Sequence, residues 1–420
     1  FLIKDVMEKK REHEKSASIF SLSVSDKDIS QFYALLPYPP TSSQKDAIQN
    51  IAKDLAQPHP MQRLLQGEVG SGKTTVAAFL LWIAAKNNKK AILVCPTNIL
   101  ASQHFETLKK VFSSQLSAFS IGIYTGKEKS VDCDILVGTH ALFTIKKFKP
   151  VIVIIDEEHR FGVSQRESFF QGKKKPHFLS MTATPIPRTV ALTALADRDV
   201  SFILPHKSNS NIKTWVVGSS KRPGAYAWIQ KTMKQTGQQT IVVCPFIEES
   251  VIETLVSVKS AKQEFERLKK VFSDFKLALL HGKIADKDKI FANMMSGKTD
   301  MLVTTPVVEV GVDIPKANVI VIEGAERFGL AQLHQLRGRV GRRGQDAYCL
   351  LFTSHESLAT GRLTYFAKTY DGNALAEYDL KHRGSGELLG TMQHGFDTFQ
   401  FASWSDIQLI ETCKKELERR

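Results

Sequence analysis

The sequence predicts an α/β protein, with two tandem parallel-sheet domains followed by a C-terminal helical hairpin and loop. Three observations carry that prediction. Short β-branched runs that end in turn residues alternate with helical patterns. They are Ala91-Ile92-Leu93-Val94-Cys95-Pro96, Asp134-Ile135-Leu136-Val137-Gly138 and Val151-Ile152-Val153-Ile154-Ile155-Asp156, with a helix-like stretch over 99–112 between the first two. Nearly continuous apolar strands separated by helices belong to a parallel sheet covered on both faces. The second half then repeats this plan in the same order. Ile92-Leu93-Val94-Cys95-Pro96 is echoed by Ile241-Val242-Val243-Cys244-Pro245. Ile152–Asp156 followed by Arg160-Phe161-Gly162 is echoed by Ile320-Val321-Ile322-Glu323 followed by Arg327-Phe328-Gly329, as expected of two similar domains. The third observation is a phosphate-binding loop in the first copy alone. In the second copy the Ile241 strand is preceded by Gly237-Gln238-Gln239 with no Lys-Thr, so one nucleotide site is expected for two domains.

Taken in order, residues 1–40 are expected as a connector, with Val6 to Lys15 as its solvated charged helix. Residues 41–205 make the first domain. Its entry strand is the partly apolar Met61–Leu65, and an apolar helix over Thr75–Ala85 follows the loop. The polar stretch Leu204-Pro205-His206-Lys207-Ser208-Asn209-Ser210-Asn211 is poor in helix formers and reads as the hinge. Residues 206–357 make the second domain. Residues 358–420 form the tail, with a helix around Leu358–Lys368, a glycine-rich loop over Arg383–Gly395 and a charged helix over Ile407–Arg420.

Composition narrows the function classes. The 420 residues allow two or three domains, and 42% hydrophobic content is ample for their cores. Lys+Arg 57 against Asp+Glu 43 leaves a net charge of +14. That excess favours a polyanionic partner, nucleic acid before an anionic membrane surface, and plain solubility fits it too. No run approaches the roughly 18 apolar residues that span a bilayer. The start, Phe1-Leu2-Ile3-Lys4, has neither an initiator Met nor a signal-peptide layout, so a soluble chain cut at its front is expected. Cys95, Cys133, Cys244, Cys349 and Cys413 are odd in number and scattered without a C-x-x-C pair. Neither a disulfide framework nor a zinc site is expected, and a reducing cytoplasm is.

The chemistry begins at Gly67-Glu68-Val69-Gly70-Ser71-Gly72-Lys73-Thr74. Four residues between Gly67 and Gly72, then Lys73 and Thr74, is the spacing in which backbone N–H groups wrap phosphates at a helix N-terminus. Lys73 supplies charge to the β- and γ-phosphates and the Thr74 hydroxyl suits Mg²⁺. Asp156-Glu157-Glu158-His159 closes an apolar strand, which places its carboxylates at the sheet's carboxyl edge. Asp156 is placed to hold Mg²⁺, and Glu157 to orient and deprotonate water. Thr182-Ala183-Thr184 offers two hydroxyls that can pass the state of a γ-phosphate onward; a threonine-capped turn reads the same. In Gln335-Leu336-Arg337-Gly338-Arg339-Val340-Gly341-Arg342, guanidinium groups suit a developing phosphoryl charge, and equally a basic patch on a nucleic-acid backbone. Thr304 to Asp313 precedes them and suits contact with nucleic acid and nucleotide.

Together, Gln44, Gly67–Thr74, Pro96-Thr97, Asp156–His159, Thr182–Thr184, Thr304–Asp313 and Gln335–Arg342 resemble the ordered signature of superfamily-two helicases and translocases. More narrowly, the chain is similar over nearly its whole length to the helicase portion of the RecG family of bacterial branched-DNA helicases. The most distinctive segments are Gly138–Leu142, His159–Val163, Met181–Arg188 and Ala325–Arg342. The tail, with Asp379-Leu380 and Arg383–Gly390, is similar to the translocation motif shared with the transcription–repair coupling factor.

The resemblance implies RecA-like folds for both domains and ATP with Mg²⁺ as cofactors. It implies that Gln44 reads adenine, that Gly67, Glu68, Val69, Gly70, Ser71, Gly72, Lys73 and Thr74 bind phosphates, and that Gly311 and Asp313 also contact nucleotide. Lys73, Thr74, Asp156 and Glu157 match the hydrolytic set, and Arg339 and Arg342 the arginine fingers. Thr97, Thr139 and Thr305 match contacts to the nucleic-acid backbone. Thr182, Thr184, Gln335, Arg362, Arg383 and Gln393 match the coupling of turnover to movement. Branched or forked DNA, a monomer and a bacterial cytoplasm are expected. Single-strand-binding protein is a partner that no residue pattern here reads. Departures occur as well. Ser71 fits this family, whereas Glu158 fits the coupling factor; the hinge lacks Pro-Pro-Gly-Arg, Ser385 replaces a common Pro and Met392 a common Arg. The family's N-terminal wedge domain is expected to be missing, and fork specificity with it. A nucleic-acid-binding module with weak ATPase, a motor of the coupling-factor type and a motor on RNA stay open.

Overall fold

The alternating strands and helices form two parallel sheets, one in each of two compact units, Phe1–Pro205 with Ala376–Arg420 and His206–Leu375. The structure is a computed structural model. It describes residues 8, 15, 22, 24–115, 117–126, 128–145, 147–162, 165, 168–170, 174–185, 198–204, 212–245, 251–282, 284, 286–306, 314–341, 345–354, 360–383 and 412. The expected front helix and the hinge after Leu204 therefore lie outside the described residues, apart from Glu8 and Lys15. The glycine-rich loop after Arg383 and the last helix lie outside them too, apart from Thr412.

In the first unit the strands are β1 (Gln62–Gly67), β2 (Ala91–Val94), β3 (Ile121–Tyr124), β4 (Ile135–Gly138), β5 (Ile152–Asp156), β6 (His177–Thr182) and β7 (Asp199–Ile203). They pair in the order β3-β4-β2-β5-β6-β1-β7, every pair parallel. β2, β4 and β5 are buried at every position, as strands covered on both faces must be. The helices are α1 (Asp26–Leu35), α2 (Ser42–Leu55), α3 (Lys73–Lys86) and α4 (Asn98–Val111). α3 is buried all round from Val76 to Ala85, which explains why its sequence shows no polar face. α2 is one-sided, turning Ala47, Ile48, Ile51 and Leu55 inward, and opens in a capping box formed by Thr41 and Gln44.

The second unit contains β8 (Ile212–Val217), β9 (Gln239–Val243), β10 (Leu277–Leu280), β11 (Met301–Thr304), β12 (Ala317–Ile322) and β13 (Ala347–Phe352), ordered β10-β11-β9-β12-β13-β8 and again parallel. Its helices are α5 (Arg222–Thr236), α6 (Val251–Val271), α7 (Lys287–Met295), α8 (Leu330–Arg337) and α9 (Thr360–Lys368); α10 (Gly372–Arg383) crosses the boundary at Ala376. Its core joins Val242, Val303, Val319, Val321 and Phe352 of the sheet to Ile229, Met233, Leu268 and Phe272. α9, placed in a separate tail by sequence, lies within this unit, which runs to Leu375.

Strand for strand the orders match, with β7 as the extra edge of the first sheet. The echoed segments occupy equivalent strands, β2 with β9 and β5 with β12. One expectation needs correcting. The counterpart of the phosphate loop does not precede β9 at Gly237-Gln238-Gln239. Sheet order places it after β8, at Gly218-Ser219-Ser220-Lys221-Arg222. No described helix is long and apolar enough to cross a membrane, and the four described cysteines are buried and free.

Leu93 lies fully buried between Val137 and Ile154 on the neighbouring strands. Leu93→Ala should lower the stability of the first unit by about 3 kcal/mol, read from its urea midpoint. At the surface, Ser25 caps α1 and Asp28 pairs with Lys86 of α3. Lys86 first, then Ser25, hold the Asp28 carboxyl down at about 2. Because that lies below the unfolded value of about 3.9, the contribution is present above about pH 4 and disappears as the pH falls through about 2. The pair is exposed, so the effect is small and screened by salt. Asp28→Asn should flatten that acid-side slope of unfolding free energy; an unchanged slope would count against the pairing.

A candidate nucleotide site at one sheet edge

The loop between β1 and α3 is shaped by two left-handed glycines, Gly70 at φ 81° and Gly72 at φ 88°. At Gly72 a Cβ would also lie 2.1 Å from Nε2 of Gln44, so no side chain fits there. Gln44 itself is a strut. Its Oε1 accepts the Thr41 N–H at 2.9 Å and its Nε2 donates to the Ser71 carbonyl at 2.9 Å. Lys73 Nζ donates to the carbonyls of Gly67 at 2.6 Å and Glu68 at 3.1 Å, which holds the ammonium over the loop. No side chain caps the N-terminus of α3, and no acidic residue occupies its first turn. Its leading N–H groups and Lys73 thus form an anion-binding end, the donor set that a triphosphate requires. Thr74 is half-buried beside them.

β5 delivers Asp156 to the same edge, where it is buried. His104 of α4 places Nε2 at 3.1 Å from Oδ2 of Asp156. Burial alone raises this carboxyl, but the His104 hydrogen bond and the charges of His104 and Lys73 outweigh it, so the group is held below its ordinary range. Glu157 sits in the left-handed region, at φ 52° and ψ 56°, an uncommon conformation for a residue with a side chain. Its N–H donates to the Met181 carbonyl at 2.9 Å. Its carboxylate accepts the Ala183 N–H at 3.2 Å and the Thr182 hydroxyl at 3.4 Å. Thr182 Oγ1 in turn accepts the Thr184 N–H at 3.1 Å. The carboxylate box and the threonine triplet are thereby one hydrogen-bonded unit. Glu158 turns away to Arg198, whose Nη1 lies 2.5 Å from its Oε2.

Among the described residues, no group of three or more His, Cys, Asp or Glu side chains makes a self-sufficient metal site. Asp156 and Thr74 instead suit an ion that takes most of its ligands from phosphates and water, as Mg²⁺ does. Thr97 caps α4, its side chain accepting the Leu100 N–H at 3.3 Å. Thr139 and Thr305 follow the equivalent strands β4 and β11, are 2% and 1% exposed, and keep hydroxyls with no hydrogen-bond partner.

In the second unit Gln335 and Arg339 are buried, Arg339 at 2% exposure. Arg337, grouped by sequence with the phosphate-seeking arginines, is an internal strut. Its guanidinium donates to the carbonyls of Phe366 at 3.0 Å and Thr369 at 2.9 Å, and lies 4.2 Å from the centroid of the Phe366 ring. Arg362 returns the clamp from α9 to the carbonyls of Glu326 at 2.9 Å and Phe328 at 2.7 Å. At the position equivalent to Asp156, Glu323 receives Arg222 Nη2 at 3.1 Å, and Arg222 begins α5 as Lys73 begins α3. Burial first, and Glu264 second, push the Glu323 carboxyl up to about 7 against the pull of Arg222 and Arg267. Arg342, Gly311, Asp313 and Gln393 lie outside the described residues, and Arg383 is the last residue of α10.

Sequence reasoning missed His104, Arg198 and Arg222. Only His104 left a signal, a polar residue on the face of α4 that buries Leu100, Ala101 and Leu108.

Comparison with known proteins adds an independent line. Residues 37–187 match the family described as "Type III restriction enzyme, res subunit", and residues 224–344 match "Helicase conserved C-terminal domain". The ATP-dependent DNA helicase RecG of Thermotoga maritima is 41% identical, over 97% of this chain and 54% of that protein. That of Aquifex aeolicus is 40% identical, over 100% of this chain and 55% of its own length. Among solved structures, RecG bound to a three-way DNA junction superposes with a TM-score of 0.80 at 35% identity, over 99% of this chain and 55% of that one. The chain therefore spans about half the length of these relatives.

The strut role of Arg337 has a measurable consequence. Arg337→Ala removes the guanidinium donor from the Thr369 carbonyl and leaves the Phe366 carbonyl with the Thr369 N–H alone, and should cost the second unit about 3 kcal/mol in chemical denaturation. A loss under about 0.5 kcal/mol would overturn the strut role.

Proposed function

We propose that this chain, which belongs to the RecG family of helicases and spans about half the length of its relatives, is an ATP-driven motor acting on branched DNA in repair and recombination. The observation that supports this most directly is the edge of the first sheet. There the uncapped end of α3 and Lys73 stand with Asp156 and with the Glu157–Thr182–Thr184 chain of hydrogen bonds.

Each residue has a role that its geometry suits. The loop N–H groups and Lys73 bind and orient the phosphates, Lys73 exchanging two neutral carbonyls for a stronger, charged partner. Thr74 and Asp156 would hold Mg²⁺, which supplies charge neutralisation to the phosphates when bound. Glu157 takes the proton of the attacking water, its carboxylate oriented beforehand by Ala183 and Thr182. Thr182 then feels any change at Glu157 and relays it through Thr184. Arg339 and Arg342 act as the arginine fingers, Gly311 and Asp313 contact the nucleotide, and Gln44 selects adenine when it leaves the loop. Thr97, Thr139 and Thr305 grip the DNA backbone, Thr139 and Thr305 once a movement of their loops uncovers hydroxyls that are buried here. Gln335, Arg362, Arg383 and Gln393 couple turnover to movement. The chain works as a monomer in the bacterial cytoplasm.

The test is steady-state ATP hydrolysis with forked duplex DNA, with RNA and with neither. DNA should stimulate turnover and RNA should not. Glu157→Gln should lower kcat about 100-fold or more, and Lys73→Ala should abolish hydrolysis. Unimpaired turnover in Lys73→Ala would sink the site assignment; stimulation by RNA alone would make it a motor on RNA. DNA affinity should fall steeply with salt, since phosphates supply most of it.

A further inference from the structure

His104 is a polar ring on an otherwise apolar helix face. α4 buries Leu100, Ala101 and Leu108, and His104 lies among them at 7% exposure. A leucine would satisfy packing alone, whereas a buried imidazole must recover its lost hydration through a hydrogen bond. It does so at Asp156, Nε2 to Oδ2 at 3.1 Å. An ionised carboxylate can only accept, so Nε2 carries the proton and donates.

The bond joins two parts of the first unit that the backbone keeps apart. α4 follows β2, and Asp156 ends β5, the strand paired with β2. The two residues are 52 apart in sequence. At the other end of the link, α4 begins at its cap, Thr97, seven residues or about two helical turns before His104. About 10 Å of rigid helix separates the cap from the donor. Fixing one oxygen of a carboxylate sets where the other points. Mg²⁺ tolerates little deviation from its preferred geometry, so that orientation matters to any ion Asp156 holds.

We propose that His104 is the positioning residue for Asp156, through which α4 passes nucleic-acid contact at Thr97 to the metal-holding carboxylate. The Asp156 half stands on the hydrogen bond; the nucleic-acid half rests on the motor reading above. Displacing the cap of α4 moves His104 as a rigid body, and Asp156 turns with it.

The experiment uses the whole chain as wild type, Lys73→Ala, His104→Ala, His104→Gln, Thr97→Ala and the Thr97→Ala/His104→Ala double variant. Binding of a fluorescent ADP analogue, titrated with Mg²⁺, gives a readout without turnover. His104→Ala should raise the Mg²⁺ midpoint about 10-fold or more and leave the metal-free affinity within about twofold. DNA-stimulated kcat should fall by a similar factor, with KM for ATP within about twofold. His104→Gln, whose amide can donate from nearly the same place, should recover most of both. An unchanged Mg²⁺ midpoint in His104→Ala overturns the proposal, and so does equal loss in the Ala and Gln variants, which would make the ring a packing element. Thr97→Ala and His104→Ala should lower DNA stimulation non-additively, and additive losses overturn the link to Thr97. Failure of the motor reading shows separately, as wild-type hydrolysis that forked DNA does not stimulate.

Discussion

Parallel pairing of β1, β6 and β5 is the constraint on which the first unit's chemistry depends. Gln66 lies opposite Thr182 and Asp156 opposite Met181, so the three strands end together. Their carboxyl ends carry the phosphate loop, the threonine triplet and the carboxylate box, and all three reach one edge without any further device. An antiparallel neighbour would send one of these segments to the far side. The apolar strand sequences are therefore as much a part of the site as its polar residues, because they fix register between two covered faces.

The same architecture without a nucleotide loop shows what the first unit has been specialised to do. At the equivalent corner of the second unit, Arg222 replaces Lys73 and reaches Glu323, which replaces Asp156. A guanidinium and a carboxylate satisfy each other there, where the first unit keeps its ammonium on loop carbonyls and its aspartate on His104. The two carboxyls diverge accordingly, one held below its ordinary range and the other pushed up to about 7. The second unit uses Arg337 and Arg362 internally, where they tie α8 and its approach to α9.

The strands and the loop were legible because both are written locally. Val and Ile runs report burial on two faces, and the Gly-x₄-Gly-Lys-Thr spacing reports its own backbone. Pairwise partners were not legible. His104 and Asp156 are 52 residues apart, and Arg198 and Glu158 are 40 apart. Only the sheet order β3-β4-β2-β5-β6-β1-β7 brings such pairs together. That order also explains the misplaced loop counterpart. Position along the chain suggested the residues before β9, whereas the topological partner of β1 is β8. Arg337 was misread for a different reason: one residue type serves as strut and as phosphate ligand, and only the carbonyls of Phe366 and Thr369 distinguish them.

Three consecutive acidic side chains, Asp156, Glu157 and Glu158, are buried at a single strand end, a costly arrangement unless each has its own donor. Each does, and the donors come from different places: His104 from α4, Ala183 and Thr182 from the end of β6, and Arg198 from the approach to β7. The left-handed turn at Glu157, which costs on the order of 1 kcal/mol, is what splays the three carboxylates toward separate partners. A regular strand would send alternate side chains to the same face and set Asp156 and Glu158 against each other. Backbone strain at Glu157 thus replaces a larger electrostatic cost, and it leaves the central carboxylate tied by hydrogen bonds to Thr182 and Ala183.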